Sequence, residues 1–254
     1  MIVDPQEIET KEVCTWQGLH LLHYPMSSCS QKVRILMGEL GVNFQSHEIN
    51  LMRGENRTDW FLGINNRGLV PVLVDDGVVH IESNDIIVYL DEKFSGANSF
   101  LPTNPDQRSR LNHWLRLEDE RHADLRTVTF TYLAPPKDDI PIDSEDRSYI
   151  TRLHTAFSEM DEVLKDSAYL LADQISLADI SWFITLHRLV LAGYPMSNHP
   201  HLADYYQRLR RRPAFTRQWQ AGPPLLRAAG GVYRTLRALT GRSLKADYKQ
   251  WSRT

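Results

Sequence analysis

The chain has 254 residues, 42% hydrophobic and 24% charged, with a formal net charge of −3. At roughly 150 residues per domain this is one large domain or two small ones, long enough for a core without disulfides or metals, and the composition excludes wholesale disorder. The acidic balance argues against a nucleic-acid protein that works by overall basicity.

Two cysteines, Cys14 and Cys29, make no disulfide framework. Residues 1–10 lack the apolar stretch of a signal peptide. The longest apolar run, Ile180 to Leu191, contains His187 and Arg188 and is too short to span a bilayer. A reducing cytoplasm is the expected compartment.

Residues 1–16 read as a polar arm. Leu19 to Tyr24 reads as a strand, followed by the hydroxyl-rich turn Pro25-Met26-Ser27-Ser28-Cys29-Ser30. Val33, Leu36, Met37 and Leu40 then recur at helical spacing up to Gly41, a helix terminator. Val42 to Ile49 reads as a second strand, and residues 53–64 as a short helix or loop. Val70 to Val74 and Val78 to Ile81 are strands joined by the hairpin turn Asp75-Asp76-Gly77. Glu82 to Phe94 is helical. Residues 17–96 thus form a small α/β unit, and 97–105 has the Gly, Pro and Asn content of a linker.

Residues 106–222 are helical in pattern: Asp106 to Tyr132, Ser144 to Leu164, the more apolar Leu177 to Leu191, His201 to Arg211 and Pro213 to Trp219. Pro135, Pro136 and Pro141 break the first from the second. Trp182 and His187 read as core. The tail, 223–254, carries seven basic residues against the single acid Asp247. It is either a helix packed back through Leu236, Leu239 and Trp251, or a basic surface for an acidic partner.

Four short segments bear on chemistry. The strand-to-helix turn sets Ser27, Ser28, Cys29 and Ser30 where backbone N–H groups and the positive helix end stabilise anionic sulfur; helix capping with Cys29 as a small core residue accounts for the same run. Val70-Pro71 opens a strand, either as a cis bond that leaves Val70 free to pair with an extended peptide or as an ordinary edge proline. Glu82-Ser83 enters a helix and suits the free α-amino acid end of a ligand, or caps the helix. Ser176-Leu177-Ala178-Asp179 has the form of a capping box, a folding element.

In this order the four resemble the glutathione transferase superfamily over about residues 17–220. Asn65-Asn66-Arg67-Gly68-Leu69-Val70-Pro71-Val72-Leu73 is similar to the family's Asn-Pro-x-Gly-x-Val-Pro-x-Leu, with Asn66 at the usual proline. Ser27-Ser28-Cys29-Ser30-Gln31-Lys32-Val33-Arg34-Ile35 resembles the Ser-Ser-Cys-Ser-x-Arg-Val-Arg-Ile motif of zeta-class maleylacetoacetate isomerases. Met26 to Ser30 and Asp204 to Arg208 are also similar to tetrachlorohydroquinone dehalogenases, and the likeness to bacterial β-aryl etherases is looser.

The resemblance implies an N-terminal thioredoxin-like α/β domain and a C-terminal all-helical bundle, assembled as a homodimer, with glutathione as co-substrate and no metal. Ser27 would hydrogen-bond the glutathione thiolate, and Cys29 would match the thiol that exchanges with a glutathionyl intermediate. Ser28, Ser30, Leu69, Val70 and Pro71 would line the glutathione site, with Val70 pairing its cysteinyl backbone and Glu82 and Ser83 holding its γ-glutamyl end. Leu69 stands where zeta-class enzymes tend to have glutamine. Met26, Trp114, Arg121 and His122 are the candidates for the second-substrate pocket; a solvated charged face with aromatic anchors is the other reading of the last three.

The implied activity is attack of glutathione thiolate on a small aromatic or unsaturated electrophile, with reductive dehalogenation and β-ether cleavage as variants. Maleyl-type cis–trans isomerisation is the second reading. A non-catalytic binding module is the third, and the intact Ser27, Cys29 and Glu82-Ser83 set argues against it.

Overall fold

The structure, a computed structural model, describes residues 1–134, 148–219 and 224–251. They form two compact units, one built on residues 1–102 joined by 217–219, the other on 103–216 and 224–251.

The first unit holds a four-stranded sheet in the order β2-β1-β3-β4. Strand β1 (Leu19–His23) is buried at every position, as a central strand covered on both faces must be. It runs parallel to β2 (Gln45–Glu48), with Leu21 beside Ser46, and antiparallel to β3 (Val72–Asp75), with Leu21 beside Leu73. Strand β4 (Val78–His80) returns from β3 through a turn in which Asp76 and Gly77 have φ of 47° and 81°. Two positive φ values define the hairpin turn whose twist matches the strands. A Cβ at Gly77 would lie 2.2 Å from the Cys14 carbonyl oxygen, so only glycine fits.

Helix α1 (Ser28–Leu40) makes the crossover that a parallel pair requires. Ser27 caps its start, and Gly41, at φ 67°, ends it with its N–H on the Met37 carbonyl. A short α2 (Asp59–Leu62) is capped by Thr58 and preceded by a 3-10 turn at Glu55–Arg57. Helix α3 (Ser83–Phe94) packs beside α1.

Residues 1–16, expected as an arm, are instead part of this unit. Val3 N–H donates to the Val79 carbonyl at 2.9 Å, Ile81 N–H donates to the Met1 carbonyl at 2.9 Å, and Ile8 and Val13 are in the core. Burying two such side chains contributes about 1.5–3 kcal/mol each, enough to fix a segment whose composition is mostly polar. The linker segment is pinned as well: the buried carboxylate of Asp91 accepts from the backbone of Phe100 and Leu101 at 2.9 and 3.2 Å.

The second unit is helical. Its described helices are α4 (Pro105–Val128, continued by a π-turn to Leu133), α5 (Ser148–Val163), α6 (Leu177–Ala192), α7 (Pro200–Arg210), α8 (Pro213–Trp219, whose last three residues join the first unit), α9 (Pro224–Leu239) and α10 (Leu244–Trp251). The expected start of the second long helix at Ser144 and the breakers Pro135, Pro136 and Pro141 lie outside the described residues.

Thirteen of the sixteen residues of α6 are buried, which makes it the central helix of the unit. Its capping box is present as expected: Ser176 N–H and Oγ each lie 2.7 Å from Asp179 Oδ2, while Leu170 N–H and Tyr205 OH donate to Oδ1 at 3.0 and 2.8 Å. Burial pushes the Asp179 carboxyl up against the pull of these bonds. Trp182 and His187 are core residues, as read from the sequence.

The basic tail folds back on this unit, but not by the side chains expected. Leu236 and Leu239 are 57% and 79% exposed. The tail is held by Leu244 and Tyr248, which are buried, by Tyr233 OH donating to the Thr131 carbonyl at 3.1 Å, and by the Arg237 guanidinium over the Tyr132 ring at 5.4 Å. Trp251 does anchor, donating through Nε1 to Thr151 Oγ1 at 2.8 Å.

Candidate active site

The first unit gathers three of the four segments. At the start of α1, Ser27 has extended backbone (φ −70°, ψ 125°) and its Oγ accepts from Ser30 N–H at 3.3 Å. The cap uses the oxygen, so the hydroxyl hydrogen is left to donate outward. The turn in front is held by Arg34, which reaches back along α1 to donate to the Pro25 carbonyl at 2.7 Å and to His23 Nδ1 at 2.9 Å. Burial and then the Arg34 charge push the His23 imidazole down to about 4, so it stays neutral and accepting.

Ser28 is buried, and Cys29, which is in no disulfide, is half-buried at the second position of α1. Ser30 follows Cys29 in the first turn of α1. It is fully buried, and its Oγ accepts from Tyr24 N–H at 3.4 Å, an internal brace between strand and helix.

The loop before β3 is fixed by two asparagines. Asn65 Nδ2 donates to the Leu69 carbonyl at 2.9 Å and Asn56 Nδ2 to the Gly68 carbonyl at 2.7 Å. Gly68 has φ 63°, and a Cβ there would lie 2.8 Å from the Asn56 carbonyl oxygen. Leu69 is 47% exposed. The Val70-Pro71 bond is cis, the first of the two readings. Val70 precedes the β3 ladder, and among the described residues its N–H and C=O take no partner.

At the start of α3 the alternatives separate further. Glu82 has φ 67° and ψ 113°, outside the regions open to ordinary L residues, and its side chain makes no cap. Such a residue costs about 1–3 kcal/mol and persists where its surroundings over-determine it. Its carboxylate is instead paired with Arg67 Nη1, from the asparagine-bound loop. No side chain of Glu82 caps the first turn of α3, which opens with the hydroxyl residue Ser83.

The second-substrate candidates divide. Met26 is partly buried against the core of the first unit. Trp114, Arg121 and His122 are on α4 of the second. Trp114 is 2% exposed, edge-on to Trp182, whose Nε1 donates to the Trp114 carbonyl at 2.9 Å. These are the contacts of a core anchor. Arg121 donates to Asp124 at 3.3 Å and to Glu120 at 3.4 Å, which commits its charge to its own helix. His122 is half-buried.

Asn56, Asn65, Arg67, Lys32 and Asn84 were not singled out in the sequence. Asn65, Arg67 and Lys32 fall inside the quoted motifs, Lys32 where the second motif has arginine. Asn56 and Asn84 acquire roles only through partners distant in the chain.

The first unit thus brings two helix starts, at Ser27 and Ser83, together with the Val70 peptide that precedes β3. Residues 26–93 match the glutathione S-transferase N-terminal domain and residues 120–208 the glutathione S-transferase C-terminal domain. Glutathione S-transferase 1 of Dianthus caryophyllus is 30% identical over 168 residues, 65% of this chain and 74% of that protein. Glutathione S-transferase D7 of Drosophila melanogaster is 26% identical over 230 residues, 90% and 99% of the two.

Among solved structures, a glutathione transferase homologue of Drosophila mojavensis with bound glutathione superposes with a TM-score of 0.72 at 22% identity, covering 85% of this chain and 97% of that one. The β-etherase LigF of Sphingobium sp. strain SYK-6 superposes with a TM-score of 0.69 at 23% identity, covering 80% and 99%. These two show the shared fold. The chain belongs to the glutathione transferase family.

Proposed function

We propose that the protein binds glutathione in the first unit and directs its thiolate at a small aromatic or unsaturated electrophile. The observation that carries the reading is the uncapped start of α3 with strained Glu82 turned away to Arg67. With no cap from Glu82, the Ser83 N–H and hydroxyl at this positive helix end are suited to a ligand carboxylate. The Glu82 carboxylate, fixed by Arg67, accepts from the ligand ammonium. The free Val70 peptide pairs with the cysteinyl backbone, which sets the sulfur toward Ser27 and the α1 N-terminus.

The thiolate gain is modest. Lowering a thiol from ~8.5 to ~6.5 raises its ionised fraction at neutral pH roughly 25-fold. Nucleophilicity falls with a Brønsted slope of ~0.4–0.5, returning about tenfold. Orientation of the electrophile and stabilisation of its developing charge supply the rest. Conjugation, β-ether cleavage and maleyl-type isomerisation need only this one thiolate. Reductive dehalogenation needs Cys29 as a second sulfur. The protein works as a homodimer in a reducing cytoplasm on this reading.

Calorimetry with glutathione tests it. Millimolar or tighter binding is expected, with at least tenfold loss in the Glu82→Ala, Ser83→Ala double variant. No heat and no retention on immobilised glutathione would favour a binding module. A screen of electrophiles with mass detection of products then separates conjugation, reduction, ether cleavage and isomerisation.

A further inference from the structure

We propose that Lys32 and Asn84 form a positioning pair that holds the γ-glutamyl end of the site, an inference that rests on the glutathione reading above. Lys32 is 1% exposed and among the largest fully buried side chains of the protein. Lysine is almost never buried to this degree without a polar partner, and an apolar side chain of the same length would pack α1 on α3 without desolvating an ammonium. Packing therefore does not explain the residue.

Its contacts include Asn84, whose Oδ1 accepts from Nζ at 2.8 Å. Asn84 is the second residue of α3, directly after Ser83. Long helical side chains run back toward the N-terminus, so the ammonium lies along the first turns of α1, the helix that Ser27 caps. One bond thus ties together the two helix starts that carry the ligand contacts.

The pair also answers how Glu82 keeps its φ of 67°. A residue in that region relaxes unless it is held on both sides. Arg67 holds its carboxylate from the loop. Lys32 holds the side chain of Asn84, two residues further on. With both anchors in place the Ser83 N–H and hydroxyl keep one direction. At 1% exposure Lys32 does not itself touch the ligand; it acts through Asn84, and both are positioning residues.

The experiment uses the full-length protein with glutathione and γ-glutamylcysteine as probes in calorimetry, and the absorbance of the bound thiolate as a function of pH. Lys32→Met and Asn84→Ala should each weaken glutathione about tenfold, and the double variant should be no weaker than the worse single. The ratio of glutathione to γ-glutamylcysteine affinity should hold, because the glycyl end is not involved. The thiolate profile should not move, because Ser27 is intact. Asn84→Asp, which keeps the acceptor, should stay within twofold of wild type.

Independent losses that multiply to about a hundredfold in the double variant overturn the proposal. So does unchanged affinity in Asn84→Ala, which decides the matter even where Lys32→Met fails to fold. A wild-type protein that does not bind glutathione would refute the underlying reading instead, a different result from binding that the variants leave untouched.

Discussion

Ser27 performs two tasks with one oxygen, and substitution separates them. As an acceptor it caps α1 through Ser30 N–H at 3.3 Å. On the proposed glutathione reading, its hydroxyl also donates to the ligand sulfur. Losing a serine cap to alanine costs about 1 kcal/mol, to glycine only a few tenths. For a chain of this size 1 kcal/mol lowers the melting temperature by roughly 2–4 °C. Losing a hydrogen bond to an anion costs about 1.5–3 kcal/mol, which raises the thiol pKa by about one to two units.

Ser27→Ala should therefore lower both melting temperature and thiolate stability, and Ser27→Gly only the second. The rate is the poor assay. A rise of about 1.5 units cuts the thiolate fraction at pH 7 roughly eightfold, but the more basic sulfur regains about fivefold, so turnover falls only about twofold. The thiolate absorbance of bound glutathione titrated from pH 5 to 10 is the sound one. If both variants titrate like wild type while Ser28→Ala shifts, Ser27 is a cap and the site is one residue out of register.

Gly68→Ala should destabilise the first unit by about 1–3 kcal/mol and weaken glutathione, because it combines φ 63° with a 2.8 Å approach to the Asn56 carbonyl; an unchanged urea midpoint would refute this. Burial, then the charges of Arg188, Arg210 and Arg234, lower His187 from 6.5 to about 4. The unfolded chain binds that proton first, so the stability tied to neutral His187 is complete above pH 6.5 and is lost as pH falls toward about 4, roughly 3 kcal/mol at most. His187→Phe should narrow the gap between melting temperatures at pH 7.5 and pH 5, and an equal gap in both proteins would remove His187 as the cause. Under reductive chemistry, Cys29→Ser should stall at a glutathionyl-substrate conjugate and quenched wild type should carry glutathione on Cys29; unchanged products and no adduct leave only thiolate transfer.

The order of elements was legible because periodicity is a local property. Val33, Leu36, Met37 and Leu40 mark α1 whatever surrounds them, and the Asp75-Asp76-Gly77 turn and the Ser176 to Asp179 box work through neighbours a few residues apart. The motif residues Ser27, Val70, Glu82 and Ser83 were legible for the same reason, each lying at a strand or helix boundary. Segments whose burial depends on distant partners read differently. The polar composition of residues 1–16 hid Ile8 and Val13, which find their partners in the sheet core. Leu236 and Leu239 look like core residues in sequence, yet α9 presents Tyr233 and Arg237 to its unit and leaves them outside. Trp114 has the size of a pocket wall and is spent against Trp182.

By itself the sequence determined a sheet unit followed by helices, and the positions at which the chain turns. Those follow from side-chain spacing, φ preferences and capping, interactions that act within a few residues. Only the tertiary structure decided which polar groups meet: Lys32 with Asn84 across 52 residues, Arg67 with Glu82 across 15, Asn56 with Gly68 across 12. A buried or strained polar residue is stable only where a particular donor or acceptor comes to it, and that partner is chosen by the packing of whole elements, not by local pattern.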